Sequence, residues 1–159
     1  MEKAEQKEWN LWEIYDDTQL QELEKLNEAY KAFLDAGKTE RECVTEIVRQ
    51  AEAAGYRDLY SMDAVKAGDK VYATWMEKSI ALFHVGSEPL EQGMNILGAH
   101  IDSPRLDLKQ NPLYEDSGFA YFDTHYYGGI KKYQWVTIPL GIHGVIVRKD
   151  GTKEVVSIG

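Results

Sequence analysis

His100 and Asp102 stand two residues apart in Gly98-Ala99-His100-Ile101-Asp102-Ser103-Pro104-Arg105-Leu106-Asp107, at the end of an apolar run. In extended backbone, residues i and i+2 point to one face of the chain. An imidazole and a carboxylate emerging together suit a metal site, in which the histidine binds the cation and the carboxylate orients or polarises it. The small flanks Gly98 and Ala99, and Pro104 turning the chain out of a strand, favour a functional role. The bare His-x-Asp pattern has a plainer reading, a histidine satisfied by its neighbouring carboxylate for structure alone. Spacing by itself leaves both open.

The other chemically capable residues are weaker. His84 lies in the Ile80 to Val85 run and reads as a core or edge histidine. His125 precedes a Tyr126-Tyr127-Gly128-Gly129 turn, His143 sits between Ile142 and Gly144 in a strand-like run, and neither has ligand spacing with His100. Glu115-Asp116 and Asp16-Asp17 are paired carboxylates in polar, turn-like settings and read as solvated surface acids. Gly128-Gly129 lacks the spacing of a phosphate-binding loop, so a turn is the better reading. The aromatic group Tyr121, Phe122, Tyr126, Tyr127, Tyr133 and Trp135 could line a groove, but in a strand-rich region such residues mostly serve sheet-face packing. The lone Cys43 reads as a small core or boundary residue, with no second cysteine to pair with.

These residues must be positioned by elements that change character near Gly55. Before it, apolar residues recur at helical spacing; after it, they come in short runs with turn residues between. Thr18-Gln19-Leu20-Gln21 has the form of a capping box, followed by Leu23, Leu26, Tyr30, Phe33 and Leu34 on one stripe and Gly37 as a stop, which predicts a helix from about 18 to 35. Thr39-Glu40-Arg41-Glu42 is a second box, with Val44, Ile47, Val48 and Ala51 following and Gly55 closing the helix. Trp9, Leu11, Trp12 and Ile14 read as a packed lead-in arm.

Downstream, Val71 to Met76 and Ser79 to Val85 predict an antiparallel pair, and Met94 to Ile101 a buried strand. Gln110 to Gly118 reads as a polar, turn-rich stretch. Trp135 to Val147 leads into Lys149-Asp150-Gly151-Thr152, where Asp-Gly is a two-residue hairpin signal, with Val155 to Ile158 as the return strand. The fold class expected is α/β, with helices first and strands later.

Composition bounds the function. At 159 residues, 43% apolar and 28% charged, the chain has the make-up of one globular domain. Its 18 basic and 27 acidic residues leave a net charge of −9, which disfavours phosphate backbones and anionic membrane surfaces, so no nucleic acid and no membrane partner is expected. One cysteine excludes an internal disulfide framework, and the start has neither apolar core nor cleavage site of a signal peptide, so the expected location is cytoplasmic. The longest mostly apolar run, Trp135 to Val147, is too short and too broken to cross a bilayer.

Gly98 to Lys109, with Asn111-Pro112-Leu113-Tyr114-Glu115-Asp116 and the stretch from His125 to Trp135, closely resembles the aspartyl aminopeptidase and aminopeptidase I family of zinc metallopeptidases. The resemblance runs from about Trp9 to Gly159, and the Tyr126 to Trp135 segment is nearer the bacterial aminopeptidase I branch. It implies an enzyme that removes single residues from peptide N-termini by metal-activated water at a two-zinc site. By the same resemblance His100 is a metal ligand, and Asp102 is the catalytic-site aspartate supporting it. The family's remaining ligands and general base fall after the region matched, so the resemblance covers only an N-terminal portion. It further implies an open catalytic sheet with helices on both faces, interrupted by an inserted β-rich domain that mediates homo-oligomer assembly. The division expected is 1–112 for the N-terminal part of the catalytic domain and 113–159 for the opening strands of the insertion.

A catalytic zinc typically takes three protein ligands plus water, and this stretch offers one with its supporter. The 159 residues are therefore expected to be inactive alone, to depend on a C-terminal remainder of the same polypeptide, and to self-associate through open strand edges. The rival reading is a non-catalytic assembly or interaction module derived from the same fold.

Overall fold

The structure, a computed structural model, describes residues 10–159. They fall into two compact units divided between Ala36 and Gly37.

The first unit is helical. Asn10 caps a short helix, α1 (Leu11–Ile14), by accepting from the Trp12 amide at 3.2 Å. Helix α2 (Asp17–Ala36) begins earlier than the sequence predicts, because its capping box uses Asp16 rather than Thr18. The Asp16 carboxylate accepts from the Gln19 amide at 2.9 Å, and the Gln19 side chain accepts from the Asp16 amide at 3.1 Å. An aspartate two residues upstream caps the Gln19 amide, so the helix starts before Thr18 and Thr18 falls inside its first turn. Asp16 is thus a helix cap and not merely a solvated acid. Leu11, Trp12 and Ile14 are exposed, so the packed arm expected from them is not formed among the described residues; Trp9 lies outside these.

The second unit holds the packed core. Helix α3 (Glu40–Ala53) starts at Thr39, whose hydroxyl accepts from the Glu42 amide at 3.3 Å and donates to the Glu42 carboxylate at 3.0 Å. It ends as predicted at Gly55, where φ is +86° and the Tyr56 and Gly55 amides fold back to the Ala51 and Glu52 carbonyls, each at 2.9 Å. After it come β1 (Arg57–Asp58), β2 (Lys70–Trp75) and β3 (Ser79–His84), a sheet of order β1-β2-β3 with β1 parallel and β3 antiparallel to β2. The apolar stripe of α3 meets this sheet, and Cys43, Val44, Ala51, Val71 and Tyr72 are buried. Met76 and Glu77 adopt positive φ in the β2–β3 turn, and Arg41 of α3 holds that turn through the Met76 carbonyl at 3.1 Å and the Glu77 carboxylate at 2.8 Å.

The buried strand predicted over Met94 to Ile101 is not formed: residues 93–104 run without a ladder partner, and Leu97 is 98% exposed. Apolar content there demands burial, but a strand exists only where a neighbour accepts its hydrogen bonds. Nor is Gln110 to Gly118 turn-rich throughout. Strand β4 (Arg105–Asp116) runs through it and pairs antiparallel with β5 (Phe119–Tyr127), with the register shifting between Leu108 and Leu113. Pro112, which has no amide hydrogen to give a ladder, sits at that shift. Ser117 and Gly118, with φ of +53° and +80°, make the tight turn.

The predicted run from Trp135 divides into a helical turn, α4 (Lys132–Trp135), and β6 (Ile142–Val147). Strand β7 (Lys153–Ile158) returns antiparallel to β6. The Asp150-Gly151 signal marks a hairpin, though its loop spans three residues with Gly151 at φ +84°, closed by the Arg148 amide on the Thr152 carbonyl at 2.9 Å.

Candidate functional site

His100 and Asp102 lie on the unpaired segment that leads into β4, not at the end of a strand. Even so, the extended backbone brings the two side chains together. His100 Nδ1 lies 3.1 Å from Asp102 Oδ1 and 3.0 Å from the Asp102 carbonyl. With its Nδ1 hydrogen directed at these oxygens, the ring keeps a lone pair on Nε2, and at 84% side-chain exposure it presents that lone pair outward.

Behind the pair stands a second layer drawn from β4 and β5. The Tyr127 hydroxyl donates to Asp102 Oδ2 at 2.6 Å, so each carboxylate oxygen has its own partner. Tyr127 and Arg105 are opposite one another in the β4–β5 ladder, and the guanidinium lies over the phenol ring, 4.1 Å from its centroid. Arg105 Nε donates to Asp107 Oδ1 at 2.7 Å, and its Nη1 to Glu40 Oε1 at 3.0 Å, which ties the group to the first turn of α3. Gly128 follows Tyr127 at φ +73°, a conformation glycine adopts freely, and lies beside Pro104 on the segment carrying Asp102.

The hydrogen bond from Tyr127 lowers the Asp102 pKa more than the contact with His100 does, and keeps the carboxylate ionised. The same bond raises the Tyr127 phenol. Burial works against the Arg105 charge, but Asp107 and Glu40 outweigh it and its pKa rises.

The other candidates stay apart from this cluster. His84 is exposed on β3, an edge strand, and His125 is exposed on β5. His143 reaches α3 instead, where its Nδ1 lies 2.9 Å from Glu42 Oε1. Cys43 is buried, with its thiol facing the Gly37 and Ile101 carbonyls, and burial followed by the charges of Glu40 and Glu42 pushes its pKa up. Among the aromatics, Tyr114 stacks on Tyr121 at 5.3 Å between centroids, and Lys132 lies over Tyr126 at 4.2 Å. Glu115 accepts from the Gly118 amide at 2.8 Å and so fastens its own hairpin turn.

A histidine held through Nδ1 by a carboxylate, with Nε2 open, has the donor chemistry of a zinc ligand. The residues present fit one coordination position. Among the described residues there is no group of three or more His, Cys, Asp or Glu side chains arranged to hold a metal ion.

A mixed α/β scaffold carrying a carboxylate-oriented histidine points to the metallohydrolases as a class. Within it the family is established: a model described as Aminopeptidase I zinc metalloprotease (M18) matches residues 33–159, and the chain belongs to that family. It is 58% identical over 154 residues to a probable M18 family aminopeptidase 1 of Clostridium acetobutylicum, covering 94% of this chain and 33% of that protein. The crystal structure of aminopeptidase I from Borrelia burgdorferi B31 superposes with a TM-score of 0.89 at 38% identity, covering 95% of this chain and 37% of that one. The M18 aminopeptidase of Thermotoga maritima gives 0.88 at 43% identity, covering 97% and 33%. The chain thus spans about a third of the length of the curated relatives it matches. No helix among the described residues is long and apolar enough to cross a membrane.

Proposed function

We propose that this chain forms the N-terminal portion of a zinc-dependent aminopeptidase that removes single residues from peptide N-termini. The observation that carries the proposal is the oriented imidazole: Nδ1 of His100 is occupied by Asp102, while Nε2 is exposed. His100 is assigned as a zinc ligand and Asp102 as the carboxylate that fixes its tautomer and ring plane. When bound, zinc would polarise the scissile carbonyl and lower the pKa of water, the chemistry a peptidase needs. The two-metal site, the general base and the remaining ligands are assigned to a C-terminal remainder of the polypeptide. Residues 1–112 are assigned to the open-sheet catalytic domain and 113–159 to an inserted β-rich domain serving homo-oligomer assembly. A single cysteine suits a cytoplasmic setting.

A catalytic zinc typically takes three protein ligands, and His100 is one, so the 159-residue chain on its own is assigned no peptidase activity. The second reading is that the isolated piece acts only as an assembly or interaction module. Both are tested by following release of the N-terminal amino acid from short peptides. The full-length zinc-loaded enzyme is expected to release it, with His100→Ala lowering kcat/KM by more than about a hundredfold. Full activity in that variant would remove His100 from the site. Zinc-dependent release by residues 1–159 alone would overturn the assignment of inactivity.

A further inference from the structure

We infer that Tyr127 is a positioning residue for the zinc ligand, acting through Asp102; this rests on the assignment of His100 and Asp102 above. The carboxylate of Asp102 has two oxygens, and a lone hydrogen bond from His100 would leave it free to swing about its Cβ–Cγ bond. Tyr127 removes that freedom by holding Oδ2 at 2.6 Å while His100 holds Oδ1 at 3.1 Å. The tyrosine is itself anchored. Arg105, its cross-strand partner, lies 4.1 Å over the ring and is held by Asp107 and Glu40.

Orientation therefore passes from helix α3 through Arg105, Tyr127 and Asp102 to the imidazole. Three of the links are hydrogen bonds and the Arg105–Tyr127 link is the guanidinium stacked over the ring, and only the last residue needs to meet the metal. A phenol hydroxyl suits the task because it donates one directional hydrogen bond from a rigid ring, whose position the β4–β5 ladder sets.

The test is zinc affinity of the full-length enzyme, measured by competition with a chromophoric chelator and by the visible spectrum of the cobalt-substituted protein. Tyr127→Phe keeps the ring beneath Arg105 and removes only the hydroxyl. It is expected to raise the zinc dissociation constant about tenfold and to shift the cobalt bands, while Asp102→Ala raises the constant about a hundredfold. In the Asp102→Ala background, Tyr127→Phe should add nothing, since the carboxylate through which it acts is gone. An unchanged zinc affinity and cobalt spectrum in Tyr127→Phe, or an equal loss with and without Asp102, would overturn the inference. Zinc affinity unaffected by His100→Ala would instead sink the ligand assignment, and the inference with it.

Discussion

Two stretches of the second unit carry similar apolar content and meet opposite fates. On α3 and β2, Cys43, Val44, Ala51, Val71 and Tyr72 are buried, with Val71 only 2% exposed. On residues 93–104, Ile96 is 80% and Leu97 98% exposed, and no strand pairs with them. The difference lies in partners. Helix α3, the β2–β3 hairpin and the turns between them are close in sequence, so each supplies the other's apolar face and hydrogen bonds. The segment approaching His100 has an apolar pattern whose complement is not found among the described residues. Toward its end it is fastened where the Ile101 carbonyl faces the Cys43 thiol at 3.6 Å and Asp102 meets Tyr127. Thus the candidate ligand is held by side chains of β4 and β5 rather than by a strand of its own.

This contrast can be broken or sharpened by substitution. The largest effect is expected at Val71: Val71→Ala should destabilise the 159-residue chain by about 2 kcal/mol, read from the urea unfolding midpoint. A loss below about 0.5 kcal/mol would mean that the packed region is not the core. Next comes Gly55→Ala. Nothing lies within 4 Å of where its Cβ would be, so the cost is the conformational penalty of φ +86° alone, about 1 kcal/mol by the same measurement.

A smaller effect tracks pH at Glu42, which joins α3 to β6. Burial pushes its carboxyl up, but hydrogen bonds from His143 and Thr39 prevail and hold it below the ordinary 4.5. Because the folded pKa is the lower one, the contribution is present in full above about pH 4.5 and is lost as pH falls through the folded value. The stability difference between the natural chain and Glu42→Gln should therefore shrink as pH falls below about 4.5. Parallel curves down to pH 3 would show that the link contributes nothing. The smallest effect is expected at Leu97, where Leu97→Ala should change the stability of the isolated chain by no more than about 0.5 kcal/mol. A larger loss would reveal a partner for the exposed segment within these residues.

Local order was the part most legible in advance. Thr39 with Glu42, Gly55, the β2–β3 pair and the Asp150-Gly151 hairpin follow from capping and turn chemistry that acts over three or four residues. Errors came where two local signals competed or where the partner was remote. Asp16 displaced Thr18 as cap because each stands three residues before a glutamine, so both fit a capping box, and residues 110–116 joined β4 because β5 offered them a ladder that polar composition does not advertise. At the site, His100 and Asp102 were visible from spacing, and Arg105 and Asp107 stood in the same motif without an evident role. Tyr127 was legible only as one aromatic among six.

Sequence alone determined that an imidazole and a carboxylate would emerge side by side at positions 100 and 102, because extended backbone alternates its faces whether or not a strand forms. It also carried the family, in the stretch from Gly98 to Trp135. Tertiary structure decided what stands behind that pair. Asp102 and Tyr127 are 25 residues apart, and only the pairing of Arg105 with Tyr127 across β4 and β5 brings the phenol to the second carboxylate oxygen. A ladder register is set by turns and partners along the whole hairpin, so no local pattern around either residue could have specified that contact.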